Sequence, residues 1–147
     1  MPWDQAIPFF TRSELSCKGT GVIKLDRRLA VRLPQLRIEW GDALYPTSVC
    51  RTPEHNESVG GHKRSLHLTD NPTHDTDGCM AADIAWRNWS AERKLRFARL
   101  AWSLGWSVGL HDSFCHIDRR KDAGLAQASF LYGHWSDQFT PDAVIDG

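Results

Sequence analysis

One stretch of the chain repeats apolar residues at helical spacing. Over residues 26–40 they are separated by steps of four, three and four positions, which predicts a helix with one apolar face. The residues of this face are Leu29, Leu33, Leu36 and Trp40. Gly41 is a typical residue to end the helix. Pro34 lies inside the pattern, so we expect the helix to be kinked or split there.

Capping residues indicate two further helices. Ser90 is a suitable N-cap, and Glu92 lies in the first turn that would follow, where the helix dipole favours an acidic side chain. This helix should end near Gly105. A shorter helical turn is predicted after Thr11, because Glu14 stands three residues later and completes a capping box.

Short apolar runs bounded by turn residues predict the strands. These runs lie at 44–50, 80–86, 106–110 and 114–118. The last two are separated by three residues and should form a hairpin. Residues 66–78 are polar and rich in turn formers, which indicates a loop. The order of elements predicts a single α+β domain over 1–147, in which helices flank a small antiparallel sheet.

Composition mainly excludes functions. The chain has 147 residues, 41% of them hydrophobic and 24% charged, as is typical of one soluble globular domain. Its 18 basic and 18 acidic residues balance, so we do not expect a nucleic-acid partner, which would require a basic face. No apolar stretch approaches the ~20 residues of a membrane span, and the first residues do not resemble a signal peptide. We expect a monomer that is made in the cytoplasm.

Two histidines and one aspartate, His67, Asp83 and His116, stand among small or apolar residues. Two imidazoles and a carboxylate are a typical ligand set of catalytic zinc, whereas structural zinc is closed by four ligands, usually including cysteines. Strand alternation places Phe114 and Asp118 on the same face as His116. Taken singly, each residue is more simply a packed histidine or an ion-pair partner. Their joint occurrence makes a zinc site in a central cleft about as good an interpretation as the simpler ones.

Several motifs follow one another along residues 9–120. The clearest are Arg-Thr-Pro-Glu-His-Asn at 51–56, Val-Gly-Gly at 59–61, Ser-Leu-His at 65–67 and His-Ile-Asp at 116–118. In this order they resemble the zinc D-alanyl-D-alanine carboxypeptidase family of bacterial and phage peptidoglycan peptidases. This family also includes D,D-dipeptidases and endolysins that cut L-alanyl-D-glutamate bonds. The resemblance implies a zinc cofactor and bacterial peptidoglycan peptides as the substrate.

The resemblance also implies roles for individual residues. It assigns the zinc ligands to the histidines and the aspartate named above. Arg51 matches an arginine near the substrate carboxylate or the developing oxyanion, although a surface ion pair is its simpler interpretation. Ser48 and Ser65 match residues that orient the substrate or the ligands. His111 is a candidate second donor to the transition state or, equally, an exposed turn histidine.

The chain departs from the family in the segment between two of these ligands. Fifteen residues separate His67 from Asp83, which is more than usual in the family. The added segment, residues 69–77, has no apolar anchor, so we expect a mobile loop that covers the substrate. Alternatively, its His74 replaces His67 as a ligand. We favour His67, because Ser65 and the preceding glycine pair fix its register.

A second departure concerns the general base. The family commonly places a carboxylate three residues before the last histidine, where this chain has Ser113. Asp112 is the nearest carboxylate and our first candidate. Asp118 is the competitor, because it shares a strand face with His116. Its simpler role is to orient a neighbouring ligand or to pair with Arg119.

These observations predict a zinc-dependent peptidoglycan peptidase that hydrolyses a bond next to a D-amino acid. We expect a phage or prophage lysis enzyme that acts on the cell wall after release from the cytoplasm. One alternative is a D,D-carboxypeptidase or dipeptidase that trims peptide termini. Another is a non-catalytic zinc-fold module for binding or virion structure, which the serine at position 113 supports. The neutral charge disfavours a metal nuclease.

Overall fold

A mixed sheet is the centre of the computed structural model, which describes residues 2–136 and 138–147. Within these residues the strands are β1 (Pro46–Ser48), β2 (Ala81–Ala85), β3 (Ser107–Leu110), β4 (Phe114–Asp118) and β5 (Ser129–Leu131). Their order across the sheet is β1-β2-β4-β3-β5. The first four pair antiparallel, including the predicted β3–β4 hairpin. β5 runs parallel to β3, so the expectation of a purely antiparallel sheet is wrong at this edge.

Helices precede, connect and follow the strands. In the described part of the chain they are α1 (Arg12–Leu15), α2 (Arg27–Trp40), α3 (Pro53–Ser58), α4 (Ala91–Ser103) and α5 (Pro141–Ile145), with a 3-10 helix at Arg120–Ala123. The α+β class is confirmed, as are the caps at Thr11 and Ser90, whose side chains accept hydrogen bonds from backbone N–H groups of the first turn. Sequence reasoning missed α3 and α5. Each begins with Thr-Pro, and Thr52 and Thr140 are the N-caps.

The expected split at Pro34 does not occur. The helix α2 is continuous, and Pro34 is buried inside it. A proline in a helix interior costs about 3 kcal/mol. The leucines of the apolar face on both sides of it are fully buried in the core, and this packing holds the helix together. Asp26 caps the start of α2, and Gly41 ends it with a φ of 77°.

Strand alternation divides the sheet into a core face and a site face. The core cluster takes the following residues from the central strands: Ala82 and Ile84, Val108 and Leu110, Cys115 and Ile117. The same cluster contains the buried apolar residues of α2 and α4. Asp83 and His116 occupy the intervening positions, so they point to the opposite face. No helix among residues 2–136 and 138–147 combines the length and the apolar character needed to span a membrane.

Candidate metal centre

The register of the sheet brings two of the three predicted ligands together. Asp83 in β2 lies directly opposite His116 in β4, and opposed side chains of an antiparallel pair lie on the same face. His116 Nδ1 is 2.9 Å from Asp83 Oδ1. His67 reaches the same oxygen from the preceding loop, with its Nε2 at 3.1 Å. All three residues are buried, and their potential ligand atoms lie within 4.8 Å of one another.

Each histidine is oriented through its second ring nitrogen. His67 Nδ1 lies 2.8 Å from the Val49 carbonyl oxygen. Because a carbonyl only accepts, Nδ1 carries a proton, which leaves Nε2 as the ring nitrogen that can bind a metal. His116 Nε2 lies 2.9 Å from Asp118 Oδ2, and Asp118 in turn accepts hydrogen bonds from the backbone and guanidinium of Arg120. Such partners of ligand histidines fix the ring orientation and the tautomer at metal sites.

This donor set fits zinc of the catalytic type. It offers two imidazole nitrogens and one carboxylate, which is one ligand fewer than a closed structural site has. The ligand atoms are Nε2 of His67, Nδ1 of His116 and the carboxylate of Asp83, each aimed at the others. Within the residues that the structure describes, these three form the group that could hold a metal ion.

The cluster carries paired charges. Burial alone would raise the pKa of Asp83, but the charges and hydrogen bonds of His67 and His116 outweigh it and hold that pKa well below its usual range. Burial would lower the pKa of His116, but Asp118 and Asp83 raise it to about 9. The pKa of Asp118 falls to about 2 despite burial, because His116 and Arg120 bond to its carboxylate. Where no metal is bound, a proton on His116 and the charge of Arg120 therefore oppose the charges of the two carboxylates.

We expect the metal-free protein to lose stability as the pH rises from about 6.5 to about 9. The pKa of His116 is raised from 6.5 to about 9 by folding, so its contribution is complete below the lower value and disappears as the pH passes the higher one. Melting temperatures of chelator-treated protein across this range measure the effect. His116→Gln, which cannot titrate, should remove most of the slope. An equal slope in that variant would contradict the assignment.

A cleft of about 210 Å³ borders the cluster. His116 and Asp118 form part of its wall, together with Ser65, His74 and Tyr132. The wall also contains arginine side chains and another histidine, so it is predominantly basic. Such a cleft suits a substrate with free carboxylates.

The predicted substrate residues Arg51, Ser48 and Ser65 lie around the ligands. The backbone N–H of Arg51 donates to the His67 carbonyl at 2.9 Å, and its Nη1 donates to Asn56 Oδ1 at 3.0 Å. Ser48 is the register partner of Asp83 in β1. The Ser65 hydroxyl accepts from the His67 backbone at 3.2 Å. These contacts place all three next to the cluster, while their roles in binding substrate stay predictions.

The other predicted residues lie elsewhere around the β3–β4 hairpin. The carboxylate of Asp112 accepts hydrogen bonds from the Ser136 backbone, the Ser136 hydroxyl and His134 Nδ1, at 2.9, 2.7 and 2.7 Å. The Ser136 hydrogen bonds, followed by that of His134, lower the pKa of Asp112 to about 2. His111 stacks on Phe114 with ring centroids 4.3 Å apart. Neither Asp112 nor His111 lines the cleft beside the cluster.

Asp118 does not pair with the arginine expected for it. Its partner is Arg120, whereas Arg119 forms an ion pair with Asp122 at 2.9 Å. Asp118 is fully buried, and both of its oxygens are engaged by Arg120 and His116. Its geometry is that of a residue that positions His116.

The added segment 69–77 is held by polar contacts. Asp70 forms an ion pair with Lys24, and Asn71 Nδ2 donates to the Ser65 carbonyl at 3.1 Å. The backbone N–H of Asp77 donates to the buried Asp26 at 3.0 Å. The segment is therefore tied to the fold more firmly than its lack of apolar residues predicts.

We expect His74→Ala to retain one zinc ion per chain. His74 lies in the cleft wall, outside the group of three ligands, so the cluster is complete without it. Elemental analysis after dialysis against zinc-free buffer is the measurement, with His55→Ala as a histidine substitution outside the cleft. Loss of zinc from His74→Ala alone would make His74 a ligand and the choice of His67 wrong.

Sequence reasoning missed Tyr132, which follows β5. Its ring stacks on His116 with centroids 4.2 Å apart and planes 6° apart. Gly109 in β3 makes this approach possible, because a Cβ there would lie 2.9 Å from Tyr132 Cβ and 3.1 Å from His116 Cβ. A glycine inside a strand was the available signal, since it often marks a close approach of neighbouring groups.

Comparison with known proteins agrees with this geometry. The family model described as Peptidase M15 matches residues 8–118, which is more than half of the chain and includes the entire cluster. The curated proteins and the solved structures contain no match. Peptidases of the matched family are zinc-dependent and act on peptidoglycan-type substrates. The predicted resemblance is thereby confirmed, and the chain belongs to the Peptidase M15 family of zinc D-alanyl-D-alanine carboxypeptidase-type enzymes.

Proposed function

We propose that this protein hydrolyses a peptide bond next to a D-amino acid in bacterial peptidoglycan, with zinc as its cofactor. The observation that carries the proposal is the buried cluster of His67, Asp83 and His116, in a chain of the M15 family. Three ligands of this type leave a position for water. His116 lines the neighbouring cleft, which is the route by which a peptide would reach the cluster in this proposal.

The side chains around the cluster divide the work. Zinc held there would supply an acidified water and polarise the substrate carbonyl. The Arg51 guanidinium is held by Asn56 and interacts with Tyr132 of the cleft wall, and its charged fork suits a substrate carboxylate or a developing oxyanion. Ser48 lies beside Asp83 and Ser65 beside His67, where each hydroxyl can orient the substrate or a ligand. Asp118 fixes the orientation of the His116 ring through the hydrogen bond to its Nε2.

The general base in this proposal is Asp112. Asp118 borders the cleft, but its side chain is fully buried and both of its oxygens already accept hydrogen bonds from His116 and Arg120, so accepting a proton would require this arrangement to open. The Asp112 side chain is 23% exposed, and its partners His134 and Ser136 lie at the surface. Because Asp112 does not line the cleft, taking a proton requires its side chain to leave these hydrogen bonds and to turn toward the substrate or its water.

Digestion of purified peptidoglycan tests the proposal and separates its rivals. An endopeptidase releases new amino groups and clears the suspension, as a phage lysis enzyme acting at the wall would. A D,D-carboxypeptidase or dipeptidase releases only D-alanine or its dipeptide. A zinc-loaded protein without turnover of any wall fragment would establish the non-catalytic module instead.

A further inference from the structure

Tyr132 is placed against the ligand set in a way that packing alone does not require. Its ring lies flat on the His116 imidazole, and it forms part of the wall of the cleft. The phenol oxygen lies close enough to Asp83, Asp118 and the Arg51 guanidinium for each of them to act on it electrostatically. A phenylalanine would stack on His116 equally well, so the hydroxyl calls for an explanation of its own.

The fold holds this tyrosine from two sides. β5 pairs with β3, and the Tyr132 backbone N–H continues this pairing by donating to the Leu110 carbonyl at 2.9 Å. Gly109 has no Cβ, so the Cβ atoms of Tyr132 and His116 can both lie close to the β3 backbone. Phe114 contacts the ring edge-on, with centroids 5.9 Å apart. A side chain fixed in this way loses little entropy when it binds a substrate group.

We propose that the Tyr132 hydroxyl donates a hydrogen bond to the scissile carbonyl oxygen of the substrate as negative charge develops on that oxygen. This inference rests on the proposed peptidase function. The Arg51 side chain interacts with the phenol and supplies positive charge to the same region. A donor fixed before the reaction stabilises the transition state more than the substrate, because the charge appears only there.

Tyr132→Phe tests the inference, because it removes the hydroxyl and keeps the stacked ring. The matched control is Tyr45→Phe, since Tyr45 is the only other tyrosine of the chain and is 66% exposed. For each zinc-loaded protein we would measure kcat and KM on a defined wall peptide. The second measurement is the affinity for a phosphinate analogue of that peptide, whose charged oxygens mimic the transition state. The third is the zinc content.

We expect Tyr132→Phe to lower kcat about 100-fold, as the loss of one oxyanion donor does. The affinity for the phosphinate should fall by a similar factor, while KM and zinc content match those of Tyr45→Phe. Unchanged kcat and phosphinate affinity would overturn the inference and leave Tyr132 as a packing residue. A raised KM with unchanged kcat would overturn it too, because it indicates uniform binding. Loss of zinc would assign Tyr132 to support of His116 instead.

The test separates this inference from the proposed function. If the wild-type zinc protein neither cleaves wall peptides nor binds the phosphinate, the proposed function fails and the role of Tyr132 fails with it. If the wild-type protein does both and Tyr132→Phe equals it, the peptidase function stands and only the role of Tyr132 is wrong.

Discussion

Replacing any one of His67, Asp83 and His116 with alanine should abolish tight zinc binding. Each supplies one of three ligands, and no further histidine, cysteine or acidic side chain in the described residues joins the group. Loss of a partner behind a ligand typically lowers metal affinity 10–100-fold, so we expect loss of a ligand itself to cost more than ~100-fold. Zinc per chain, measured by elemental analysis in the presence of a competing chelator, gives the result.

A histidine outside the cluster, His55, provides the control. His55→Ala makes the same chemical change in α3 and should leave one zinc per chain. The free energy of unfolding of each variant, measured without metal, shows whether a loss of zinc comes from the ligand or from the fold. Full zinc in His116→Ala would exclude this ligand set.

Asp112→Asn should keep zinc and fold but lower turnover at least ~100-fold, the range expected for loss of a general base. Its carboxylate lies at the surface, and asparagine can still accept a hydrogen bond from Ser136, so the hairpin should persist. Asp118→Asn should instead weaken zinc binding, because it disturbs the bond that orients His116. The measurement is kcat at saturating zinc for both variants.

The opposite result for these two variants would assign the general base to Asp118. Near-normal kcat in Asp112→Asn, together with a collapse in Asp118→Asn at full zinc occupancy, would make Asp118 the base. Such a result would also require the ion pair between Asp118 and Arg120 to open during the reaction, because that pair engages both oxygens of the carboxylate.

The sequence predicted the parts of the fold that have a strong local signal. The helix α4 has a serine cap, and the central strands have apolar runs long enough to show alternation. β5 has only three residues and follows a polar stretch, so it is too short to show an alternation of apolar and polar residues. Its place beside β3 depends on a parallel pairing between distant segments, which no local pattern encodes. Pro34 misled us because burial of the leucines around it outweighs a local cost.

The same distinction explains which site residues were found. Asp83 and His116 were visible because polar side chains inside apolar strands need a partner or a metal, and His67 was visible through the Ser-Leu-His motif. Of the groups that orient them, Asp118 was anticipated, whereas the Val49 carbonyl and Arg120 in a 3-10 helix were not. Tyr132 reaches His116 only through tertiary packing. Partners from the backbone and from distant segments depend on the finished fold.

Mass spectrometry of defined muropeptides incubated with the zinc-loaded protein tests the central claim most directly. We expect the wild-type protein to yield fragments that together carry the mass of one added water, cut at a peptide bond next to a D-amino acid. Asp83→Ala, treated identically, should leave the same muropeptides intact. Intact muropeptides after incubation with fully zinc-loaded wild-type protein would contradict the proposal.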